Sequence, residues 1–188
     1  MVVSFLYVVF LLGVSMFESR TFNLLMAFVC YQLLITAFYF QYVDGMAPCP
    51  LCIFQRIAVF ILGVWFLLQG VHNPLSASRW HIFYNIGGIL SVLAGGAISA
   101  RHAYLQSLPP SEVPACGPSL DYLVDILPIM EVFDVVLKGS GECAAVSWVL
   151  LGFTMPMWLL FFFIGVFAIL TWRLFRHFKP SNSIFTTA

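Results

Sequence analysis

The five cysteines are the residues of this chain whose types and spacing are best suited to chemistry. Four of them form two pairs. Cys49 and Cys52 are separated by two residues, and Cys116 and Cys143 lie much farther along the chain. A Cys-x-x-Cys pair can close into a tight disulfide, or one of its sulfurs can be held as a reactive thiolate. The pairs therefore predict thiol–disulfide exchange.

The residues that follow Cys52 favour its thiolate form. A helix is expected to begin at Cys52, and the unpaired N–H groups and the dipole of a helix N-terminus favour a negative charge. Arg56 lies one turn later on the same face and adds a positive charge. An arginine inside a membrane span costs about 2.5–3.5 kcal/mol on insertion scales, so it is expected to have a task. The alternative is that Arg56 only extends to the lipid headgroups.

The composition predicts that a membrane surrounds these residues. Hydrophobic residues make up 62% of the chain and charged residues 9%, whereas soluble proteins have about 25% charged residues. A soluble protein of this composition could not cover its surface with polar groups. The formal net charge is zero, so nothing points to a nucleic-acid partner. The expected surroundings are membrane lipid.

Four apolar stretches are long enough to cross a bilayer, which takes about 20 residues of helix. They are residues 21–43, 53–71, 82–100 and 148–172. The period-2 alternation of a membrane barrel is absent. The sequence therefore predicts an all-α membrane protein, a four-transmembrane-helix bundle that forms a single domain over residues 18–179.

The basic residues predict the orientation of the bundle. With four spans, the connections 44–52 and 101–147 share one face, and the second connection and both termini share the other. Lys and Arg concentrate on the cytoplasmic side of membrane proteins. The basic residues on the face of the termini are Arg20, Arg79, Arg173, Arg176 and Lys179. Both termini, including the tail 180–188, are therefore expected in the cytoplasm, and both cysteine pairs in an oxidising compartment.

Other interpretations of the cysteines stay open. The Cys49–Cys52 pair could be a static structural disulfide, and two cysteine pairs are also a common zinc pattern. An oxidising compartment competes with zinc for the thiols and no histidine shares their spacing, so we predict no metal. A haem-attachment motif needs histidine directly after the second cysteine, where Ile53 stands. Cys30, inside the first span, is expected to be a small packing residue.

The long third connection contains three kinds of sequence. Several prolines surround Cys116, which predicts an extended and accessible segment, although a plain linker has the same composition. Residues 120–137 carry apolar side chains at helical spacing and acidic ones on another face, so a short interfacial helix broken at Pro128 is expected. An apolar cap over the bundle is the alternative. Gly139 and Gly141 predict a flexible joint just before Cys143.

The N-terminal stretch 1–17 is apolar but too short to span a bilayer comfortably. It lacks the basic residue that precedes the apolar core of a signal peptide. It is interpreted as an interfacial extension or as a start-site artefact with Met16 as the initiator, and an extra span is the third alternative.

Taken together, these residues resemble the DsbB family, disulfide bond formation protein B of bacterial inner membranes. The resemblance covers about residues 20–172. The order of the cysteine pairs also fits, because vitamin K epoxide reductase relatives place the loop pair before the Cys-x-x-Cys. The apolar extension 1–17 and Cys30 depart from the pattern. The motifs that carry the resemblance are Cys49-Pro50-Leu51-Cys52 followed by Arg56, Arg101-His102, Cys116, Gly141-Glu142-Cys143-Ala144 and GFTMPMW at residues 152–158.

The resemblance implies a function in the periplasm. Such proteins reoxidise DsbA, a soluble thiol oxidase with a thioredoxin fold, and pass the electrons to a membrane quinone, either ubiquinone or menaquinone. Carried over by position, Cys116 would form the mixed disulfide with the DsbA-type partner. Cys143 would then be released and would attack Cys49, which would free Cys52.

The resemblance also implies a quinone site at the membrane surface. The Cys52 thiolate would face the quinone ring, and Arg56 and His102 would hold or polarise the quinone. A cation near a quinone oxygen stabilises the charge that arrives with the electrons.

A second hypothesis is that the chain is a membrane anchor without enzymatic activity. Two static disulfides would then staple its outer loops, and they would resist mild thiols and never form a mixed disulfide with a partner. A transporter is less favoured, because the predicted spans contain no acidic residue and only Arg56 is charged within one.

Overall fold

The computed structural model describes residues 20–75, 78–109, 111–113, 122, 125–139, 141–146 and 148–178. The apolar stretch 1–17, the loop cysteine Cys116 and the tail 180–188 lie outside the described residues. What was inferred for them from the sequence stays a prediction.

Helices dominate the described part of the chain, and four of them are long and apolar enough to cross a membrane. The prediction of an all-α, multi-pass membrane protein of four spans is therefore confirmed. In chain order the elements are α1 (Arg20–Tyr42), α2 (Pro50–His72), α3 (Arg79–Ser107), α4 (Ile129–Lys138), α5 (Gly141–Ala144), the strands β1 (Val149–Leu150) and β2 (Phe153–Thr154), and α6 (Met155–Phe178). The four spanning helices are α1, α2, α3 and α6.

Apolar side chains cover the outside of the bundle as well as its core. Phe28, Ile35 and Leu90 are each more than half exposed, which suits a surface bathed in lipid rather than in water. Leu62 and Phe163 are buried in the core between the helices. Lipid offers no hydrogen bonds to the backbone, so this chain crosses the bilayer as continuous helices, which satisfy their own backbone N–H and C=O groups.

Small residues allow the spanning helices to approach closely. A Cβ atom added to Gly63 on α2 would lie 3.1 Å from the Cβ atom of Cys30 on α1. Cys30 is fully buried at this contact. On the other side of the bundle, the Phe163 ring of α6 occupies the space that a side chain at Gly95 would need. Cys30 therefore lies where a packing residue is expected.

The third spanning helix continues beyond its predicted end. The prediction stopped at residue 100, whereas α3 runs to Ser107 and contains both Arg101 and His102. Its 29 residues extend for about 44 Å, longer than the roughly 30 Å of bilayer hydrocarbon. Hydropathy marks only the part of a helix that lies in lipid, so it missed the polar turns at the end of α3.

The predicted start of the fourth span is wrong. A short antiparallel hairpin, in which Val149 pairs with Thr154 and Leu150 with Phe153, precedes α6. Leu151 and Gly152 form its turn with φ angles of 52° and 82°. Positive φ at both central residues suits a two-residue hairpin and ends any helix. The span was predicted from residue 148 because the hairpin is as apolar as the helix that follows.

The part of the predicted interfacial helix that follows Pro128 is present, and it caps the bundle. It begins after Pro128, where the sequence predicted a break, and runs to Lys138. Val132 and Val136 are buried in an apolar cluster with Leu51 and Leu105. The opposite side of α4 exposes Met130, which is 81% accessible. The helix therefore connects the long loop to the ends of α2 and α3.

Candidate active site

The Cys49–Cys52 pair lies at the N-terminus of α2. Cys49 is the N-cap residue, and its sulfur accepts a hydrogen bond of 3.3 Å from the backbone N–H of Cys52. Pro50 occupies the first helical position, where a missing N–H costs nothing. The Cys49 thiol donates to the Cys52 sulfur at 2.9 Å. The helix start therefore places both sulfurs in contact, and a small movement would bring them to bonding distance.

Cys143 brings a third sulfur to the same place. It lies in the short helix α5, where it is 1% exposed, and its thiol hydrogen-bonds with Cys49. Hydrogen bonding with the sulfurs of Cys143 and Cys52, together with burial, raises the pKa of the Cys49 thiol. Cys49 is therefore protonated at neutral pH in this arrangement, and it needs a base before it can act as a nucleophile.

His102 from α3 contacts this group of thiols. Its Nε2 atom lies 3.7 Å from Cys49 Sγ, and its ring also hydrogen-bonds with the backbone of Cys143. Its Nδ1 atom lies 3.4 Å from Gln55 Oε1. The sequence placed His102 beside a quinone, but the structure places it beside the sulfurs. The predicted quinone contact of His102 stays a prediction.

A cavity of about 470 Å³ lies on the other side of Cys52, between α1, α2 and α6. That volume is within the range of small-molecule sites, about 300–1,000 Å³. Most of its lining is apolar or aromatic, and the polar groups that reach it include Cys52, Gln55 and Arg56. An apolar ring with oxygen atoms on its edge, as in a quinone, fits this chemistry. The apolar and aromatic lining residues include Leu33, Phe40, Trp148, Met155, Leu159 and Phe162.

Arg56 is fixed in the wall of this cavity by α1. Its guanidinium donates hydrogen bonds to the Gln41 side chain and, at 3.1 Å, to the backbone carbonyl of Ala37. It also lies 5.3 Å from the ring centroid of Phe38. These contacts leave the positive charge beside the cavity and orient it. They differ from the alternative in which Arg56 simply extends to the headgroups.

The cluster of donor atoms also invites comparison with a metal site. The donor atoms of Cys49, Cys52 and His102 all lie within 4.8 Å of one another. Two thiolates on a tetrahedral zinc ion are about 3.8 Å apart, because each Zn–S bond is about 2.3 Å long. The two sulfurs here are only 2.9 Å apart. Their spacing suits a dithiol about to form a disulfide better than it suits zinc.

Sequence reasoning missed Gln55 and Ser99. Gln55 lines the cavity, contacts His102 and donates a hydrogen bond of 3.0 Å to Ser99 Oγ. Both side chains are buried between α2 and α3. A signal was present, since a polar amide next to Arg56 inside an apolar span is costly and calls for a partner.

Comparison with known proteins agrees with this geometry. The family described as "Disulfide bond formation protein DsbB" matches residues 19–173 of the chain. The chain belongs to the DsbB family. The family resemblance inferred from the motifs is thereby confirmed, and membership identifies the protein as an oxidoreductase of disulfide bond formation.

Individual relatives support the family assignment over nearly the same region. Each of three examples is named "Disulfide bond formation protein B". The relative from Acinetobacter baumannii is 43% identical over 81% of this chain and 86% of its own length. The relative from Nitrosococcus oceani is 45% identical over 79% and 87%. The relative from Methylococcus capsulatus is 43% identical over 82% and 94%.

Proposed function

We propose that this protein reoxidises a periplasmic DsbA-type thiol oxidase of the thioredoxin fold and passes the electrons to a membrane quinone. One observation carries the proposal. Cys52 contacts Cys49 on one side and lines the apolar cavity with Arg56 on the other. It is therefore the residue through which a disulfide system and a lipid-soluble acceptor can exchange electrons.

Disulfide exchange supplies the first half of the reaction. The partner's thiolate attacks a Cys116–Cys143 disulfide at Cys116, and the mixed disulfide that forms releases Cys143 as a thiolate. Cys143 then attacks the Cys49–Cys52 disulfide at Cys49, so a Cys49–Cys143 disulfide forms and Cys52 leaves as a thiolate. The second thiol of the partner breaks the mixed disulfide, which releases the oxidised partner and frees Cys116. Cys116 then attacks the Cys49–Cys143 disulfide at Cys143, which restores the Cys116–Cys143 disulfide and leaves Cys49 reduced. The hydrogen bond between Cys143 and Cys49 supports this order, because disulfide exchange needs the attacking sulfur next to its target.

Electron transfer to the quinone supplies the second half. When the reduced Cys49–Cys52 pair returns to a disulfide, it gives up two electrons and two protons, and a quinone held in the cavity would be the acceptor for both. A disulfide cannot reoxidise a strongly oxidising partner unless such an acceptor draws the electrons onward, since about 30 mV of potential corresponds to about 1.4 kcal/mol for two electrons. Arg56 would hold a quinone oxygen and stabilise the arriving negative charge. Ubiquinone and menaquinone both have this chemistry.

The location follows from the same arrangement. A quinone dissolves in the bilayer, and the cavity lies between three helices able to span it. The two ends of the bundle differ, because Arg20, Arg79 and Arg176 lie at the end opposite the thiols. By the charge rule this end is cytoplasmic, so both termini are in the cytoplasm and the thiols face the periplasm. We therefore propose a single domain, residues 18–179, in the inner membrane.

The test is quinone reduction by the purified full-length protein in detergent, with a reduced DsbA-type oxidase as electron donor. We expect turnover with ubiquinone or menaquinone in the wild type and none in Cys52→Ser. The matched control is Cys30→Ser, which removes a thiol outside the proposed path. Folded wild-type protein that reduces neither quinone would refute the proposal and favour static disulfides in a membrane anchor.

A further inference from the structure

A chain of buried polar side chains leads from α3 to the thiols. Ser99 accepts a hydrogen bond from Gln55 Nε2, Gln55 Oε1 contacts His102 Nδ1, and His102 Nε2 faces Cys49 Sγ. Ser99, Gln55 and His102 are at most 5% exposed. Polar groups this deeply buried in a membrane protein are costly, and they persist when they are paired or serve a function.

The amide of Gln55 is one of two hydrogen-bond partners that influence which nitrogen of His102 carries the proton, and the backbone of Cys143 is the other. The Gln55 Nε2 group donates to Ser99, so the Oε1 atom is turned toward the imidazole. An amide oxygen can only accept a hydrogen bond, so this contact favours the tautomer that is protonated at Nδ1. In that tautomer the lone pair lies on Nε2, and it is this atom that faces Cys49.

Cys49 has a proton to lose in the proposed reaction. When the reduced Cys49–Cys52 pair becomes a disulfide, an S–S bond forms, two electrons leave for the quinone, and each sulfur gives up a proton. Burial and the neighbouring sulfurs make the Cys49 proton the harder one to remove by solvent. Cys52, by contrast, lies on the cavity.

We propose that Gln55 is a positioning residue that holds His102 against Cys49, where the imidazole Nε2 accepts the proton that Cys49 loses when it enters a disulfide. This inference rests on the proposed redox function of the Cys49–Cys52 pair. Gln55 acts only through His102, and Ser99 orients the Gln55 amide. The proton returns from His102 to the medium or to the reduced acceptor, so the site is ready for the next cycle.

The surroundings of Cys49 leave His102 as the suitable base. Among the described residues, the titratable groups against Cys49 are the thiols of Cys52 and Cys143 and the imidazole of His102. The packed helix α4 contributes the apolar side chains Val132 and Val136 to this cluster. Imidazole is the base best suited to proton transfer near neutral pH.

The test measures the reactivity of the Cys49 thiol without quinone or partner, so its result does not depend on turnover. The reduced full-length protein carries Cys52→Ser, and alkylation of Cys49 by iodoacetamide is followed by mass spectrometry across a range of pH. We expect Gln55→Leu to slow alkylation about tenfold near neutral pH, since general bases contribute a hundredfold or more. The difference in alkylation rate between Gln55→Leu and the parent protein should disappear in alkaline buffer, where hydroxide removes the Cys49 proton.

A double substitution separates positioning from simple packing. His102→Ala alone should slow alkylation at least as much as Gln55→Leu, and the combination of the two should be no slower than His102→Ala. Gln55→Glu keeps the acceptor oxygen and should retain the wild-type rate or exceed it. It also serves as the second variant if Gln55→Leu does not fold.

The matched control is Gln69→Leu, which makes the same substitution at a buried position of α2 far from the thiols. It should leave the alkylation of Cys49 unchanged. The proposal is overturned if Gln55→Leu has no effect, if it slows alkylation equally with and without His102, or if Gln55→Glu is as slow as Gln55→Leu. Quinone reduction by the wild-type protein would stand in each of these cases, so failure here and failure of the proposed function are distinguishable.

Discussion

The two ends of the helix bundle both bury polar side chains, but they do so in different ways. At the thiol end, Cys49, Gln55 and His102 meet through contacts of 3.4 to 3.7 Å beside a cavity. At the opposite end, Arg173 is 1% exposed and donates a hydrogen bond of 2.9 Å to Asn23. The thiol and the imidazole of the first group can exchange protons and disulfide bonds, whereas the hydrogen bond of the second group connects two helices.

At the opposite end, the contacts of Arg173 join three spanning helices. Arg173 from α6 reaches Asn23 on α1, and its Nη2 atom lies 3.5 Å from His81 Nε2 on α3. Its guanidinium also lies 5.8 Å from the ring centroid of Phe22. Disrupting a buried charge that several partners hold destabilises the fold. We therefore expect substitutions at this end to change stability and those at the thiol end to change chemistry.

The largest expected effect is at the thiol end. Cys143→Ala should abolish turnover, because the sulfur that attacks Cys49 is removed. When this variant meets the oxidised partner, Cys116 should attack the partner's disulfide and remain joined to it in a long-lived mixed disulfide. Non-reducing gel electrophoresis after mixing with the oxidised DsbA-type partner would reveal this adduct. If no adduct accumulates, the proposed order of exchange is wrong.

The next largest effect is expected for the buried Arg173 contacts at the opposite end. Arg173→Met should lower the free energy of unfolding by about 2 kcal/mol, since Asn23 and His81 lose a buried hydrogen-bond partner. Denaturant titration in detergent measures this change, and Cys49 alkylation should keep its rate. Arg176→Met, at an exposed position three residues later on the same helix, is the control and should change stability little. Equal losses in the two variants would contradict the comparison between the ends.

A smaller effect is expected in the wall of the cavity. Arg56→Ala should raise the apparent KM for quinone about tenfold, which corresponds to about 1.4 kcal/mol, while both disulfides still form. Steady-state quinone reduction gives the KM, and thiol trapping gives the disulfide content. Arg56→Lys should recover part of the affinity because the charge remains. An unchanged KM in Arg56→Ala would remove Arg56 from the quinone site.

The smallest effect is expected in the core between the ends. Cys30→Ala should cost about 1 kcal/mol or less, because it removes one sulfur from a contact that a smaller side chain can still fill. Quinone reduction should continue at the wild-type rate. A loss of activity in folded Cys30→Ala protein would show that this cysteine has a chemical role after all.

Much of the fold was predictable because spanning helices are encoded locally. About 20 apolar residues in a row are sufficient to identify a span, and the predicted stretches 21–43 and 53–71 lie close to α1 and α2. The errors have a common cause. Hydropathy cannot distinguish the apolar hairpin at 149–154 from the start of α6, and it cannot follow α3 past residue 100 into its polar end.

The sequence by itself determined that this chain is a membrane protein, that it carries a Cys-x-x-Cys pair and a loop pair, and that it resembles the DsbB family. These properties depend on composition and on short-range spacing. Only the tertiary structure decided that His102 contacts Cys49, which is 53 positions away, and that Gln55 links His102 to Ser99. Such contacts depend on how α2, α3 and α5 pack against one another, and no local pattern of residues encodes that packing.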